Sequence, residues 1–561
     1  MTKVTHTQLF ARVLLIVVFL SVLFSPVRYE ASDPFGSLMV SESILTHGTV
    51  RLDAIGSNNL HLYGYNTDPH NGHYYYSFPL GTSLASLPFV AVAKAFGLHM
   101  LSAEIPTQIV IASIVCVLTL LLLMKLAYIF LDPLPAVLVS AVFWFGTSLA
   151  STAGTALWSH DFAVLFALLS MYLLIKKIVV AKKRYYWPWI AATLFFAYLC
   201  RPTMALLVPF ELIFLFSYDK KIAFKTAGLL FIFLLCFVWW SWNELHQLLP
   251  DYYIPQRLTG ERFCEALRGN VLGPSRGLFI YSPFLFVAWL CFRDSSRHIA
   301  LKKTWWLLGA AWPIAHLLTI SRFHQWWGGW TFGSRLMTDA LPGLFLLTLH
   351  TWPTRWRFAK HKSSIILLGV ASCFSIFVHF FHGMFSYRTM RSFYSEPNID
   401  VYQEYISDWR YPQFLFNKAM RVSRLADFKA HTISFESKQA TFIGWGEPIR
   451  WFRQAVTNHP LIIFSLNKST HYHGDLLLRY NSTTPQAIRI LMNGKPIAEF
   501  TTSAAALRPD PVRSSYRASF ATHFSCSPEI IKNGKNTLAF ELADPNSKEK
   551  LGVLFSYLTV Q

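Results

Sequence analysis

Hydrophobic positions follow two patterns along this chain. Up to about residue 385 they gather into long runs, at 9–25, 107–131, 134–150, 157–175, 187–199, 203–216, 223–245, 278–291, 304–320, 336–350 and 363–385. A helix needs roughly 20 apolar residues to cross about 30 Å of hydrocarbon, so the spacing predicts about 11 transmembrane helices. A long polar loop, 26–106, separates the first two runs. Its segments 36–47 and 79–96 are amphipathic and too short or too polar to span, and are expected to lie in the interface. After residue 385 the pattern changes. Residues 386–431 read as a polar linker with an amphipathic helix at 413–425. From 432 to 561, short alternating runs such as A-I-R-I-L-M and T-L-A-F-E-L are bounded by turn residues. Asn493-Gly494 between two of them is a strong hairpin signal. The expected architecture is an α-helical polytopic membrane domain, 1–385, followed by the linker and an external β-sandwich, 432–561.

Charged residues make up 14% of the chain, against about 25% in soluble proteins, which supports the membrane reading. The net charge of +20 could serve nucleic acid or anionic lipid, but its placement points to topology instead. Lys176, Lys177, Lys182, Lys183 and Arg184 form one short basic loop, and Lys220, Lys221 and Lys225 the next. Arg293, Arg297, Lys302 and Lys303 form a third, and Arg355, Arg357, Lys360 and Lys362 a fourth. All four fall on the side of the N-terminus. That end is expected to be cytoplasmic, with the long loops and the C-terminal domain external and no nucleic-acid partner. No A-x-A-like site follows the first run, which reads as an uncleaved span rather than a signal peptide. The cysteines show no CxxC or metal spacing, so neither a disulfide framework nor a zinc site is expected.

Candidate chemistry sits in the external loops. S-P-V-R-Y-E-A-S-D-P, 25–34, puts Glu30 and Asp33 just past the first span. A carboxylate at that boundary is partly desolvated yet reachable, as a general base for a hydroxyl requires; a solvated loop acid is the alternative. Asp68 in N-T-D-P-H, with His73 and Tyr74 in H-Y-Y-Y-S-F-P-L-G-T-S-L, would suit a glycan cleft, and equally an Asp-Pro turn and an aromatic membrane anchor. His160 and Asp161 in W-S-H-D stand at the mouth of the fourth span, either as functional ionisable groups or as an ordinary polar helix start.

Three arginines suit an anionic group. Arg201 in C-R-P-T lies outside every basic cluster, so a specific partner is expected, either a phosphate or an internal carboxylate such as Asp33 or Asp161. Arg335 closes S-R-F-H-Q-W-W-G-G-W-T-F-G-S-R and opens a membrane helix, where free N–H groups and a full charge suit a lipid phosphate. His324 and Trp327 in that stretch are candidate substrate contacts or part of an aromatic belt. Arg276 in G-P-S-R-G-L enters another span.

These pieces resemble the GT-C superfamily of integral-membrane glycosyltransferases over about residues 9–385. The layout is that of ArnT-like and protein-mannosyltransferase-like members: a first helix followed at once by a loop acid, here Asp33, then a long external loop and a multi-span bundle. H-Y-Y-Y-S-F-P-L-G-T-S-L and G-G-W-T-F-G-S-R-L-M are similar to segments of bacterial members. G-W-G-E-P, M-N-G-K and K-L-G-V-L-F-S-Y-L look like a jelly-roll domain. The resemblance implies an inverting transferase of the bacterial inner membrane. Its donor would be a polyprenyl-phosphate sugar held in membrane lipid, and its acceptor a cell-envelope glycan or lipid. Asp33 would act on the acceptor and Arg201, Arg276 and Arg335 on the donor phosphate. Glu30, Asp68, His73, Tyr74, His160, Asp161, His324 and Trp327 would surround the substrates. Many members carry two adjacent acids in the first loop; here Glu30 stands apart from Asp33, and no metal-binding acid pair is evident. No cofactor and no divalent metal is therefore expected. A ligase or polymerase of lipid-linked oligosaccharides, or a transporter, would fit the same composition.

Overall fold

The computed structural model describes residues 6–27, 33–55, 67–260, 262–291, 305–352, 358–396, 398–400, 402–434, 440–447, 453–466, 472–480, 486–501, 518–526, 530, 534–544, 551 and 553–560. The chain forms two compact units. One comprises Met1–Tyr394 and Gln403–Phe416, the other Ser395–Tyr402 and Asn417–Gln561.

The first unit is mostly helical. Among the described residues, four helices are long and apolar enough to cross a membrane: His6–Leu23, Met100–Ala127, Lys220–Leu245 and Ser363–Phe385. Pro133–Phe145 and Ser148–Thr155, bent by 48°, add a fifth if the pair is one span. Other apolar runs give shorter helices, such as Pro202–Tyr218 and Trp306–Ile320. Length and apolarity thus single out fewer segments than the about 11 expected from run length. Local breaks account for part of the difference. Pro202 follows Arg201, lacks an N–H for the preceding turn, and opens a 3-10 segment, Pro202–Leu206, before helix resumes. Leu9, Val13, Ile16, Val17 and Leu20 on the first helix, and Phe231, Ile232, Leu235 and Trp239 on Lys220–Leu245, stay exposed, a surface suited to acyl chains. Met100–Ala127 is the central element. It packs against His6–Leu23, Pro133–Phe145 and Ser159–Tyr172, and buries Ile111, Val115, Leu120 and Leu123.

The segments at 36–47 and 79–96 form the helices Ser37–His47 and Gly81–Ala95. Between them Thr67–His70 pairs with His73–Tyr76 through a turn at Asn71 (φ 51°) and Gly72 (φ 80°). The sequence reading placed no strand there, although Asn71-Gly72 carries the same signal as Asn493-Gly494. A Cβ on Gly81 would stand 2.3 Å from the Cys200 nitrogen. Only glycine allows this helix to press on the backbone just ahead of Arg201.

The second unit contains two five-stranded antiparallel sheets. One runs Ala518–Cys526, Tyr472–Tyr480, Val553–Val560, Thr432–Ser434, with Arg453–Gln454 also on Val553–Val560. The other runs Ala440–Ile443, Leu461–Leu466, Gly534–Leu542, Ala487–Met492, Lys495–Thr501. Period-two alternation buries Ile488, Ile490 and Met492 on one face, with Ile462, Phe464, Leu538 and Phe540. Trp445 packs edge-on against Phe540 and belongs to that core. Asn493 (φ 52°) and Gly494 (φ 78°) turn the expected hairpin. The amphipathic helix expected at 413–425 forms further on, as Lys418–His431, because Asn417 accepts the N–H groups of Ala419 and Met420 and starts it there.

Candidate functional site

Asp33 ends the loop after the first helix, and its backbone carbonyl accepts the Tyr76 hydroxyl of the hairpin. Its carboxylate meets Arg335 Nη2 at 2.5 Å. Arg335 opens the 3-10 segment Arg335–Ala340. Its guanidinium lies 3.9 Å from the centre of the Trp158 ring. Arg335 Nη1 donates to the Gly328 carbonyl at 3.2 Å, and Nε to His160 Nε2 at 3.3 Å. Gly328 is held in the left-handed region, φ 73°, which aims that carbonyl. His160 Nδ1 lies 2.6 Å from Asp339 Oδ1. The other Asp339 oxygen accepts Arg201 Nε at 3.2 Å and the Thr203 hydroxyl at 2.8 Å. Arg201 Nη1 reaches the Tyr252 hydroxyl at 3.1 Å.

The result is a chain of alternating charge, Asp33–Arg335–His160–Asp339–Arg201. Its hydrogen bonds define the imidazole: Nε2 accepts from Arg335, so the proton sits on Nδ1 and His160 is neutral. Two carboxylates then balance two guanidinium groups. Burial is graded along it. The Asp33 side chain is 29% exposed, Arg335 7%, and His160 and Asp339 are fully buried. Asp33 is therefore the end of the chain that a polar substrate can meet. Burial alone would lower the Arg201 pKa, but the Asp339 carboxylate beside it outweighs that and holds it above the usual guanidinium value. A cleft of about 70 Å³ lies alongside, lined by Tyr75, Tyr76, Phe78, Trp240, Tyr252 and Tyr253 among others.

The structure brings Asp33, His160, Arg201 and Arg335 together, and of the other candidates whose side chains are described none joins them by a hydrogen bond. Arg201 turns inward, 4% exposed, with Asp339 as its carboxylate partner rather than Asp33 or Asp161. Arg276 has a different role from the expected phosphate contact. It is 2% exposed and donates to the carbonyls of Trp327, Ser275 and Gly329 and to the Gln413 side chain, so it braces the Trp327–Gly329 turn from within. Trp327 is itself buried there. Asp161 is buried near the start of its helix, with no side-chain partner, off the line of the chain. His73 and Tyr74 belong to a second cluster. Asp53 accepts from His73 Nδ1 at 2.6 Å and from the Tyr74 N–H at 2.8 Å, while His73 Nε2 faces Arg51, which pairs with Glu244 at 2.6 Å. His324 is exposed and makes no hydrogen bond to the Arg335 group. Glu30 lies outside the described residues, and of Asp68 only the backbone, paired with Tyr75, is described. Among the described residues no three His, Cys, Asp or Glu side chains converge as a metal would require.

Three contributors were missed from the sequence. Asp339 stands four residues after Arg335, just past G-G-W-T-F-G-S-R-L-M, a helical spacing that could have flagged it. Tyr76 and Tyr252 carry no comparable signal.

No protein-family model matches the chain, and no curated protein matches it. Among solved structures the chain is similar to a family 35 carbohydrate-binding module from Paenibacillus barcinonensis. Identity is 15% over 23% of this chain and 97% of that one, with a TM-score of 0.17. A family 35 carbohydrate-binding module from Clostridium thermocellum is similar at 14% identity, over 23% of this chain and 98% of that one, TM-score 0.17. So is an exo-β-1,3-galactanase from Phanerochaete chrysosporium with galactose, at 12% identity, 23% of this chain and 29% of that one, TM-score 0.16. Likeness of that degree assigns no activity.

Proposed function

We propose that the chain is a membrane glycosyltransferase of GT-C type that moves a sugar from a polyprenyl-phosphate donor to a hydroxyl acceptor at the external face. The observation that carries the reading is the Asp33–Arg335 pair, a partly exposed carboxylate on a buried, braced guanidinium beside apolar helices. The pair works as an interlock. A donor phosphate entering from the lipid competes with Asp33 for Arg335. Once the phosphate holds the guanidinium, Asp33 loses its counter-charge and is free to accept a proton. The acceptor oxygen then bonds to the anomeric carbon as the bond from that carbon to the phosphate oxygen breaks. The hydroxyl proton passes to Asp33, and the leaving polyprenyl phosphate keeps the electron pair, its charge matched by Arg335. His160, Asp339 and Arg201 hold Arg335 in place from behind. Positioned base help of this kind is worth about 10²–10⁴-fold. The N-terminus lies in the cytoplasm in this reading, and the second unit on the acceptor side.

The test follows release of free polyprenyl phosphate from a panel of polyprenyl-phosphate sugars by the protein in lipid vesicles. Wild type is expected to turn over a donor, Asp33→Asn to lose turnover with donor binding kept or tightened, and Arg335→Ala to lose donor binding. Full turnover by Asp33→Asn would end the base assignment.

A further inference from the structure

We infer that Glu104 is a positioning residue for Asp33, which rests on the role proposed for Asp33 above. Glu104 lies in the first turns of Met100–Ala127, 2% exposed. One of its carboxylate oxygens accepts the backbone N–H of Gly36 at 2.8 Å and that of Leu38 at 3.0 Å. These are among the unsatisfied donors at the start of Ser37–His47, a helix with no side-chain cap of its own. One turn along the same central helix, Gln108 donates to the Pro34 carbonyl at 2.9 Å. From the hairpin, Tyr76 donates to the Asp33 carbonyl. Gly36 takes φ 100°, which lets the chain turn out of the Asp33 loop and into the helix.

The backbone from Asp33 to Leu38 is thus tied at both ends, while the Asp33 side chain stays part-exposed. Ordering the backbone of a loop acid costs conformational entropy, which hydrogen bonds from fixed elements offset. Glu104 supplies that order from the central helix of the unit. Its role needs one acceptor oxygen and not a negative charge, since both bonds go to the same atom. Glutamine at 104 therefore keeps the tie and alanine removes it.

The experiment compares wild type, Glu104→Gln, Glu104→Ala and Gln108→Ala in lipid vesicles. Two quantities are read: donor turnover, and hydrogen exchange at the Gly36 and Leu38 amides. Glu104→Gln is expected to keep amide protection and kcat within a few-fold. Glu104→Ala is expected to lose protection and lower kcat about 10²-fold at unchanged donor KM, the scale of a misplaced reacting group. Gln108→Ala removes one tie only and is expected to fall between them, which keeps the test open if the alanine variant does not fold. A glutamine variant as impaired as alanine would overturn the inference in favour of a role for the charge. Unchanged exchange in Glu104→Ala, or lost protection with full kcat, would overturn it as well. If wild type turns over no donor while Glu104→Ala loses protection, the tie stands and the assignment of the reaction fails.

Discussion

Replacing Asp339 by asparagine takes one charge from the centre of the chain and reverses one hydrogen-bonding edge. The two Asp339 oxygens accept three donors, His160 Nδ1–H on one and Arg201 Nε–H and the Thr203 hydroxyl on the other. An amide offers only one such oxygen. If its NH2 faces Arg201, donor meets donor, and the buried guanidinium loses its counter-charge. If it faces His160, the imidazole must turn Nε2–H toward Arg335 Nε–H, and the clash moves one link along. In both orientations a fully buried group is left unmatched. Breaking a buried pair from one side costs about 3–5 kcal/mol. For a unit of about 400 residues the unfolding entropy is roughly 0.8 kcal/mol per degree, so that lowers the midpoint by about 4–6 °C. Asp161→Asn is the matched control. It is the same substitution one residue from His160, in a buried carboxylate with no side-chain partner. A carboxyl buried without a partner is held neutral, so the amide changes no charge there and its midpoint is expected to hold. Tryptophan fluorescence on heating, in one detergent at one pH, reads both variants. Asp339→Asn melting within about 2 °C of wild type, or no more easily than Asp161→Asn, would refute the charge chain.

Arg276→Met takes the Arg276 donor from the Trp327 and Ser275 carbonyls, while Gly329 keeps the Thr331 N–H and Gln413 keeps Tyr281 and Gly333. It is expected to cost about 2–6 kcal/mol of stability, at about 1–3 kcal/mol for each of the two carbonyls. A normal midpoint with only donor affinity lost would instead return Arg276 to the phosphate. Gly81→Ala drives a methyl group against the backbone at Leu199 and Cys200. Overpacking there is expected to cost about 1–3 kcal/mol and to disturb Arg201; an unaltered midpoint would contradict the close approach. Asp33→Asn, by contrast, keeps an amide oxygen that can accept from Arg335, on a side chain that is part-exposed, so its midpoint should fall less than that of Asp339→Asn while turnover is lost.

Four members of the charge chain, Asp33, His160, Arg201 and Arg335, are legible in the sequence because each is an ionisable residue at the edge of a long apolar run. Membrane character followed from the same runs, and the hairpin at Asn493-Gly494 from the backbone angles those two residues accept. These are local properties, set by a few neighbours along the chain. Partnership is not local. Asp33 meets Arg335 across 302 positions and Arg201 meets Asp339 across 138, so no local window of residues contains both halves of either pair. The same distance hid the role of Arg276, whose motif matches that of a phosphate contact until the Trp327–Gly329 turn closes over it. It also hid Glu104, which falls by the apolar pattern within the polar loop 26–106 and carries no motif. An ionisable side chain carries the same letter whether it faces a substrate, a counter-charge or a row of carbonyls. Only packing, by deciding which groups lose water together, determines which of these it becomes.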